Sequence, residues 1–331
     1  MKRLLILIGT IVLTSLLAAC GNGDASEKAK GKNEVTIGYF PNMTHITTIV
    51  GLEKGYFEKE FGSVKIKTKT FTQGGLFMEA LATGAIDIGT TGPGPVLNHY
   101  TKTPDYHIIS GAANGGAVLV ASKKSGINSI KDFDGKKIAI PGLGNTQDLM
   151  LRDELKSAGL KAKTNGGTVE LHPTAPADMP TLFRQNSVAA AAVPEPWGYA
   201  LEKQGGKIIA DWKDFAWGKD TPVTVVATSS GYLKNNKKQA EAFLKAHEEA
   251  IQFINEHPDE AKKLVSKHIE KLTGQALAAD ELDAAFARMK VTDKVDEKVV
   301  QEMANVSKQA NYIPNSKIKG MIDLSLLQKS K

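Results

Sequence analysis

The sequence predicts an α/β fold in two lobes, a clamshell whose halves are joined by two crossover strands. Three observations predict it. Strand-like and helix-like segments alternate over short loops from Glu34 to about Thr228, the pattern of parallel sheets covered by helices. Two apolar runs, Ala117–Ser122 and Val223–Ser229, each lead out of one set of elements and into another. The chain has 331 residues, more than one hydrophobic core usually sustains.

The first set opens with the strand Val35–Phe40, followed by helical spacing over Ile46–Phe57. Val64–Phe71 alternates apolar and polar residues as a half-buried strand does. A helix over Leu76–Ala82, a short strand over Ala85–Gly89, a helix over Pro93–Tyr100 and a strand over Tyr106–Ser110 follow. In the second set the strands are Lys137–Ile140, Val169–His172, Val188–Val193 and Lys207–Ala210. Helices over Gln147–Ala158, Ala177–Arg184 and Pro196–Gln204 separate them. Beyond Tyr232 the periodicity is helical over Lys237–Asn255, Pro258–Lys271, Ala279–Lys290 and Val295–Ala310. The two crossovers assign residues 34–121 and 223–331 to one lobe and residues 122–222 to the other. A hinge between two such lobes closes on a ligand, at the carboxyl ends of the strands.

The amino terminus is an export signal over residues 1–19. Lys2 and Arg3 precede an apolar run from Leu4 to Leu17, and Leu17-Ala18-Ala19 leads into Cys20. The run is short for a membrane span. Cys20 is the chain's one cysteine, so no disulfide forms within the chain. Its setting resembles a bacterial lipobox, which implies lipidation of Cys20 and attachment to the outer face of the cell membrane. Residues 20–33 then form a polar, flexible tether.

Composition excludes several classes. The net charge is +6, but only four of the 42 cationic residues are Arg, and Lys2 and Arg3 leave with the signal. Nucleic-acid readers favour Arg forks, so scattered Lys reads as solvated surface and no nucleic-acid partner is expected. No Ser-His-Asp signature, HExxH motif or Walker loop occurs, and the one cysteine is taken by the lipobox. The reading is a binding protein rather than an enzyme, without cofactor or metal, and a monomer.

The candidate site lies in the turns after the strands. They are Pro41-Asn42-Met43-Thr44-His45, Thr72-Gln73-Gly74-Gly75, Thr90-Thr91-Gly92-Pro93-Gly94 and Pro141-Gly142-Leu143-Gly144-Asn145-Thr146-Gln147-Asp148. Each opens a helix, and all but the first contain glycine. Helix starts offer unpaired N–H groups and a partial positive charge, ready for an anion, and glycine lets backbone come close to a ligand. No Lys or Arg lies in these turns. Asn145 with Asp148 reads as a capping-box-like pair. Asn114, next to Gly115-Gly116, is a hinge or pocket wall. Pro194-Glu195-Pro196-Trp197 sets a large apolar ring at a strand end. Glu195 beside an anion repels it, unless it caps a helix or pairs with an ammonium group.

These residues carry a resemblance. Gly38-Tyr-Phe-Pro-Asn42 with Thr44-His45, Gly51-Leu-Glu-Lys-Gly-Tyr-Phe57, Met78–Gly89, Thr91-Gly-Pro93, Gly142–Asp148 and Glu195-Pro-Trp197 are similar to segments of the sulfonate, nitrate and taurine binding proteins of ABC importers. The resemblance runs from about Val35 to Thr228 and is strongest to the aliphatic-sulfonate binders. It implies a periplasmic-binding-protein-like clamshell of type II. It also implies delivery of a small anionic ligand to ABC permease subunits for sulfur acquisition. The ligand-binding residues it implies are Asn42, Thr44, His45, Gln73, Gly74, Gly75, Thr91, Gly92, Asn114, Asn145, Thr146, Gln147, Glu195 and Trp197. Taurine, nitrate, bicarbonate and a thiamine-pyrimidine precursor are the alternative ligands. A ligand-sensing lipoprotein, or an enzyme of the same fold, is the alternative from another class.

Overall fold

The computed structural model describes residues 33–274 and 276–330; the export signal and Cys20 lie outside them. Strand β1 (Glu34–Tyr39) leads through a 3-10 turn (Met43–His45) into α1 (Ile46–Glu53) and α2 (Tyr56–Phe61). There follow β2 (Lys65–Thr70), α3 (Gly74–Ala82), β3 (Ile88–Thr91), α4 (Pro93–Tyr100) and β4 (Tyr106–Gly115). The next elements are β5 (Ala117–Ala121), β6 (Lys137–Ile140), α5 (Thr146–Ser157), β7 (Glu170–Pro173), α6 (Met179–Arg184), β8 (Ala190–Pro194), α7 (Trp197–Lys203) and β9 (Lys207–Ala210). Strand β10 (Pro222–Ser229) precedes α8 (Ser230–Asn235), α9 (Lys237–Glu256), α10 (Pro258–Thr273), α11 (Ala279–Ala287), β11 (Met289–Val291) and α12 (Glu297–Gln309).

The strands form two mixed sheets, one per lobe. The first has the order β11-β4-β10-β3-β1-β2, the second β7-β6-β8-β5-β9. In the first, β1 runs parallel to β2 and β3, while β10 is antiparallel to β3 and β4. Val35, Ile37 and Tyr39, on one face of the inner strand β1, are buried. In the second sheet every residue of β5 and β8 is buried, so these strands carry only Ala, Val, Leu and one Pro. At the outer edge, β2 reads Lys-Ile-Lys-Thr-Lys-Thr and is mostly exposed, with Lys67 2.8 Å from Glu34.

Several boundaries differ from the sequence expectation. The helical run Ile46–Phe57 is two helices, because Gly55 takes φ +70° and turns the chain. Strand β4 runs on to Gly115 through residues of low strand propensity. Pairing with β10 and β11, and the Gly111 N–H to Asp293 carbonyl bond of 2.8 Å, hold it there, so tertiary context overrides propensity. The helix expected to reach Lys290 ends at Ala287, because Met289–Val291 pairs with Gly115–Ala113. Strand β5 belongs to the second sheet, so the first crossover lies at Gly115-Gly116 and not after residue 121.

Gly115 and Gly116 have φ of +71° and +73°. A Cβ on Gly116 would lie 2.8 Å from Thr44 Cγ2. Gly116→Ala is therefore expected to lower unfolding free energy by at least the ~1–2 kcal/mol of a left-handed non-glycine residue. Chemical denaturation checks this, and an unchanged midpoint refutes it.

His247 on α9 is fully buried, and its Nε2 donates to the Gly111 carbonyl at 2.8 Å. Burial pushes its pKa down to about 4. Near the ordinary histidine value the unfolded chain takes up a proton while the folded one does not, so stability is lost as pH falls from about 6.5 toward 4. His247→Gln keeps a donor but does not titrate. It should flatten the fall of melting temperature between pH 7 and 5; an unaltered slope contradicts the assignment.

Candidate functional site

The carboxyl ends of β1, β2, β3, β6, β7 and β8 face one another across the gap between the sheets. The groove there has a cavity volume of about 100 Å³ and is partly open to solvent.

The first turn enters the groove with Phe40, Pro41, Asn42, Thr44 and His45. Asn42 has extended backbone and caps the 3-10 turn, its Oδ1 accepting from the Thr44 N–H at 3.0 Å and the Thr44 hydroxyl at 2.8 Å. Thr224 on β10 in turn donates to Thr44 Oγ1 at 2.9 Å. The Asn42 oxygen is thus committed to Thr44, and its NH₂ is the donor it can offer the groove. His45 is buried, its ring packed on Phe40 with centroids 4.7 Å apart and its Nδ1 2.9 Å from Thr90 Oγ1. Burial pushes its pKa down to about 3, so the imidazole is neutral.

Gly74 and Gly92 line the groove, as do Asn145, Thr146 and Gln147 at the start of α5. At both glycines another part of the chain also comes close. A Cβ on Gly74 would lie 2.1 Å from Pro95 Cγ, and one on Gly92 would lie 2.4 Å from Thr146 Oγ1. Gly74 lets the starts of α3 and α4 pack together within the first lobe, while Gly92 lets the starts of α4 and α5 touch across the two lobes, with the Gly94 N–H 3.3 Å from Thr146 Oγ1. No side chain caps α3 or α5, so their first-turn N–H groups are not spent on a cap. Trp197, at the start of α7, supplies the apolar wall with Phe40, Phe71 and Pro176. Among the described residues, no charged side chain lines the groove.

Five of the expected residues lie off the groove lining. Gln73 is half-buried at the start of α3, near Gly142. Gly75 is exposed and lines a separate crevice with Asn98 and Leu143. Thr91 and Asn114 are buried within the first sheet, with Thr91 Oγ1 and Asn114 Oδ1 lacking a hydrogen-bond partner among the described residues. Glu195 is fully buried and turned away. Its carboxylate accepts the Tyr199 N–H at 3.0 Å and Arg288 Nη1 at 2.9 Å, so it secures the start of α7 and pairs with a cation of the chain itself. Burial raises its pKa, with Arg288 acting against the rise.

The capping box expected of Asn145 and Asp148 is absent. Asp148 instead accepts the Gly144 N–H at 2.7 Å, the Tyr312 hydroxyl at 2.7 Å and Arg152 Nε at 2.8 Å. Arg152, one helical turn on, and Tyr312, beyond α12, draw the carboxylate away from Asn145. Sequence reasoning also missed the apolar contributors Phe40, Phe71, Pro95, Ala175 and Val223, and the hydroxyl residue Thr273. Most of them adjoin the expected turns, and only polar residues had been sought there.

Comparison with known proteins agrees with this architecture. The NMT1-like family matches residues 28–270. A Bacillus subtilis (strain 168) protein named for binding aliphatic sulfonates is 29% identical over 277 residues, covering 80% of this chain and 77% of its own. Among solved structures, the alkanesulfonate-binding protein SsuA from Xanthomonas axonopodis pv. citri, bound to MOPS, superposes with a TM-score of 0.76 at 18% identity. The superposition covers 88% of this chain and 99% of that one. A Candida albicans protein described as having the generic periplasmic binding protein structural fold gives 0.69 at 15% identity, over 88% and 96%. The fold is accordingly that of the periplasmic binding proteins, and the chain belongs to the NMT1-like family.

Proposed function

We propose that the protein is the extracytoplasmic solute-binding component of an ABC importer, capturing aliphatic sulfonates for sulfur acquisition. One observation carries the reading: several helix starts converge on a groove that has an apolar wall and no charged side chain. A sulfonate is ionised at every physiological pH and shares its charge over three oxygens. It needs several weak donors rather than one cation. Each helix start supplies roughly half a positive charge as well as N–H groups. The neutral His45 and the Asn42 NH₂ add donors, and the Trp197 ring receives an alkyl tail. The apolar wall of Phe40, Phe71, Pro176 and Trp197 suits an alkyl tail, which favours a sulfonate with a tail over a bare inorganic anion.

The same reading places a lipid anchor on Cys20 with a flexible tether behind it, so that a monomer reaches the permease from the outer face of the membrane. It assigns no catalytic role to any residue. The groove offers no nucleophile paired with a base, which supports capture over turnover.

Calorimetry against short alkanesulfonates, taurine and nitrate tests the ligand. Alkanesulfonates are expected to bind and nitrate not to; nitrate binding more tightly than every sulfonate sinks the reading. Trp197→Ala should weaken the longer alkanesulfonates about tenfold, roughly 1.4 kcal/mol, and the shortest one less. Equal affinity of wild type and variant for the longest chain removes Trp197 from the site. For the anchor, Cys20→Ser expressed in a bacterial host should move the protein from the membrane fraction to the soluble extracytoplasmic fraction. A variant retained in the membrane excludes lipidation at this residue.

A further inference from the structure

His45, the one ionisable side chain among the described residues that line the groove, is held from beneath by two buried hydroxyls. Thr90 on β3 sits 2.9 Å from His45 Nδ1 and 2.9 Å from Thr48 Oγ1 on α1. Thr48 and Thr90 are both fully buried. Thr48 Oγ1 has Thr90 as its hydrogen-bond partner and makes no bond back to its own helix, and His45 Nε2 has no partner among the described residues.

Three protons must be placed along this chain, and the two directions are not equivalent. If Nδ1 carries the imidazole proton, it donates to Thr90 and Thr90 donates to Thr48. The Thr48 proton is then buried with no acceptor, an unfavourable arrangement. In the opposite direction Thr48 donates to Thr90, Thr90 donates to Nδ1, and the imidazole proton sits on Nε2. Every buried hydroxyl is then satisfied, and the ring offers an N–H to the groove.

We propose that Thr90 and Thr48 are positioning residues that fix His45 as the neutral Nε2–H tautomer, a pre-set uncharged donor to an oxygen of the bound anion. The proposal rests on the reading of the groove as an anion site. Ionisable side chains on the surrounding elements are engaged elsewhere. Tyr39 at the end of β1 and Glu53 on α1 both bond His268, Asp87 before β3 accepts the Thr36 N–H, and Glu195 beyond β8 pairs with Arg288. None of them lines the groove beside His45. Burial, which pushes His45 down to about 3, acts in the same direction by keeping the ring neutral. An anion site usually gains from a protonated histidine at low pH; this one should hold its ligand equally well at pH 5.5 and pH 7.5.

The test reads the tautomer without any ligand. Ring-nitrogen NMR of the ligand-free protein, with the His45 signals assigned by comparison with His45→Gln, should show an unprotonated Nδ1 and a protonated Nε2 at both pH values. Thr90→Val keeps the side-chain shape on a strand and removes the hydroxyl. It should turn the signature into a tautomer mixture and weaken alkanesulfonate binding about tenfold. Thr90→Ser should restore both. Thr48→Val, which leaves the strand untouched, should give the same spectral change if Thr90→Val folds poorly. A protonated Nδ1 in the wild type, or an unchanged ring signature in both Val variants, overturns the proposal. Absence of sulfonate binding by the wild type defeats the functional reading instead, while the tautomer measurement still decides this one.

Discussion

A methyl group on Gly92 would lie 2.4 Å from Thr146 Oγ1, and one on Gly94 would lie 2.9 Å from the Gly144 carbonyl. The starts of α4 and α5 come from different lobes and touch only because these positions lack a Cβ. The groove depends on that contact. It brings the uncapped turns of both sheets to one place and closes one end of the space between them. It also links the turn carrying Asn145, Thr146 and Gln147 to the first lobe. Asn98 donates to the Gly144 carbonyl at 2.9 Å and receives the Ser307 hydroxyl at 2.6 Å, while Tyr312 reaches Asp148. That turn of one lobe is therefore held partly by side chains of the other.

Charge is arranged around the groove rather than in it. Glu195 and Arg288 meet behind α7, and Asp148 and Arg152 meet on α5 with Tyr312 bonded to both. Removing one partner of such a pair leaves a buried charge uncompensated, a large penalty. With these ions paired among themselves, the groove is left to backbone dipoles, amides, hydroxyls and a neutral imidazole. Fixed dipoles of this kind solvate a single delocalised negative charge without a fixed opposite charge in the binding wall.

What the sequence made legible follows from range. The turns after β1, β2, β3 and β6 announce themselves locally through Gly, Pro and Asn, and the alternation of elements predicts both sheets. The two crossovers could be read from β5 and β10, although the exact switch at Gly115-Gly116 could not, since Gly111–Gly115 has the composition of a loop. Partners distant in the chain were illegible. Arg288 is 93 residues from Glu195 and Tyr312 is 164 from Asp148, and nothing local to either carboxylate foretells its partner. Glu195 therefore read as a groove residue or a helix cap, and Asp148 as part of a capping box. The glycines were legible as places of close approach, while their neighbours in the chain itself, Pro95 and Thr146, were not.

The lysine-rich margin of the first sheet has a consequence of its own. Strand β2 ends the sheet with backbone groups open to pairing by another chain, and Lys65, Lys67 and Lys69 stand along it. An edge strand is a template for aggregation, and repeated like charge makes side-by-side addition of a second such strand unfavourable. That repulsion keeps neighbouring molecules from stitching their sheets together.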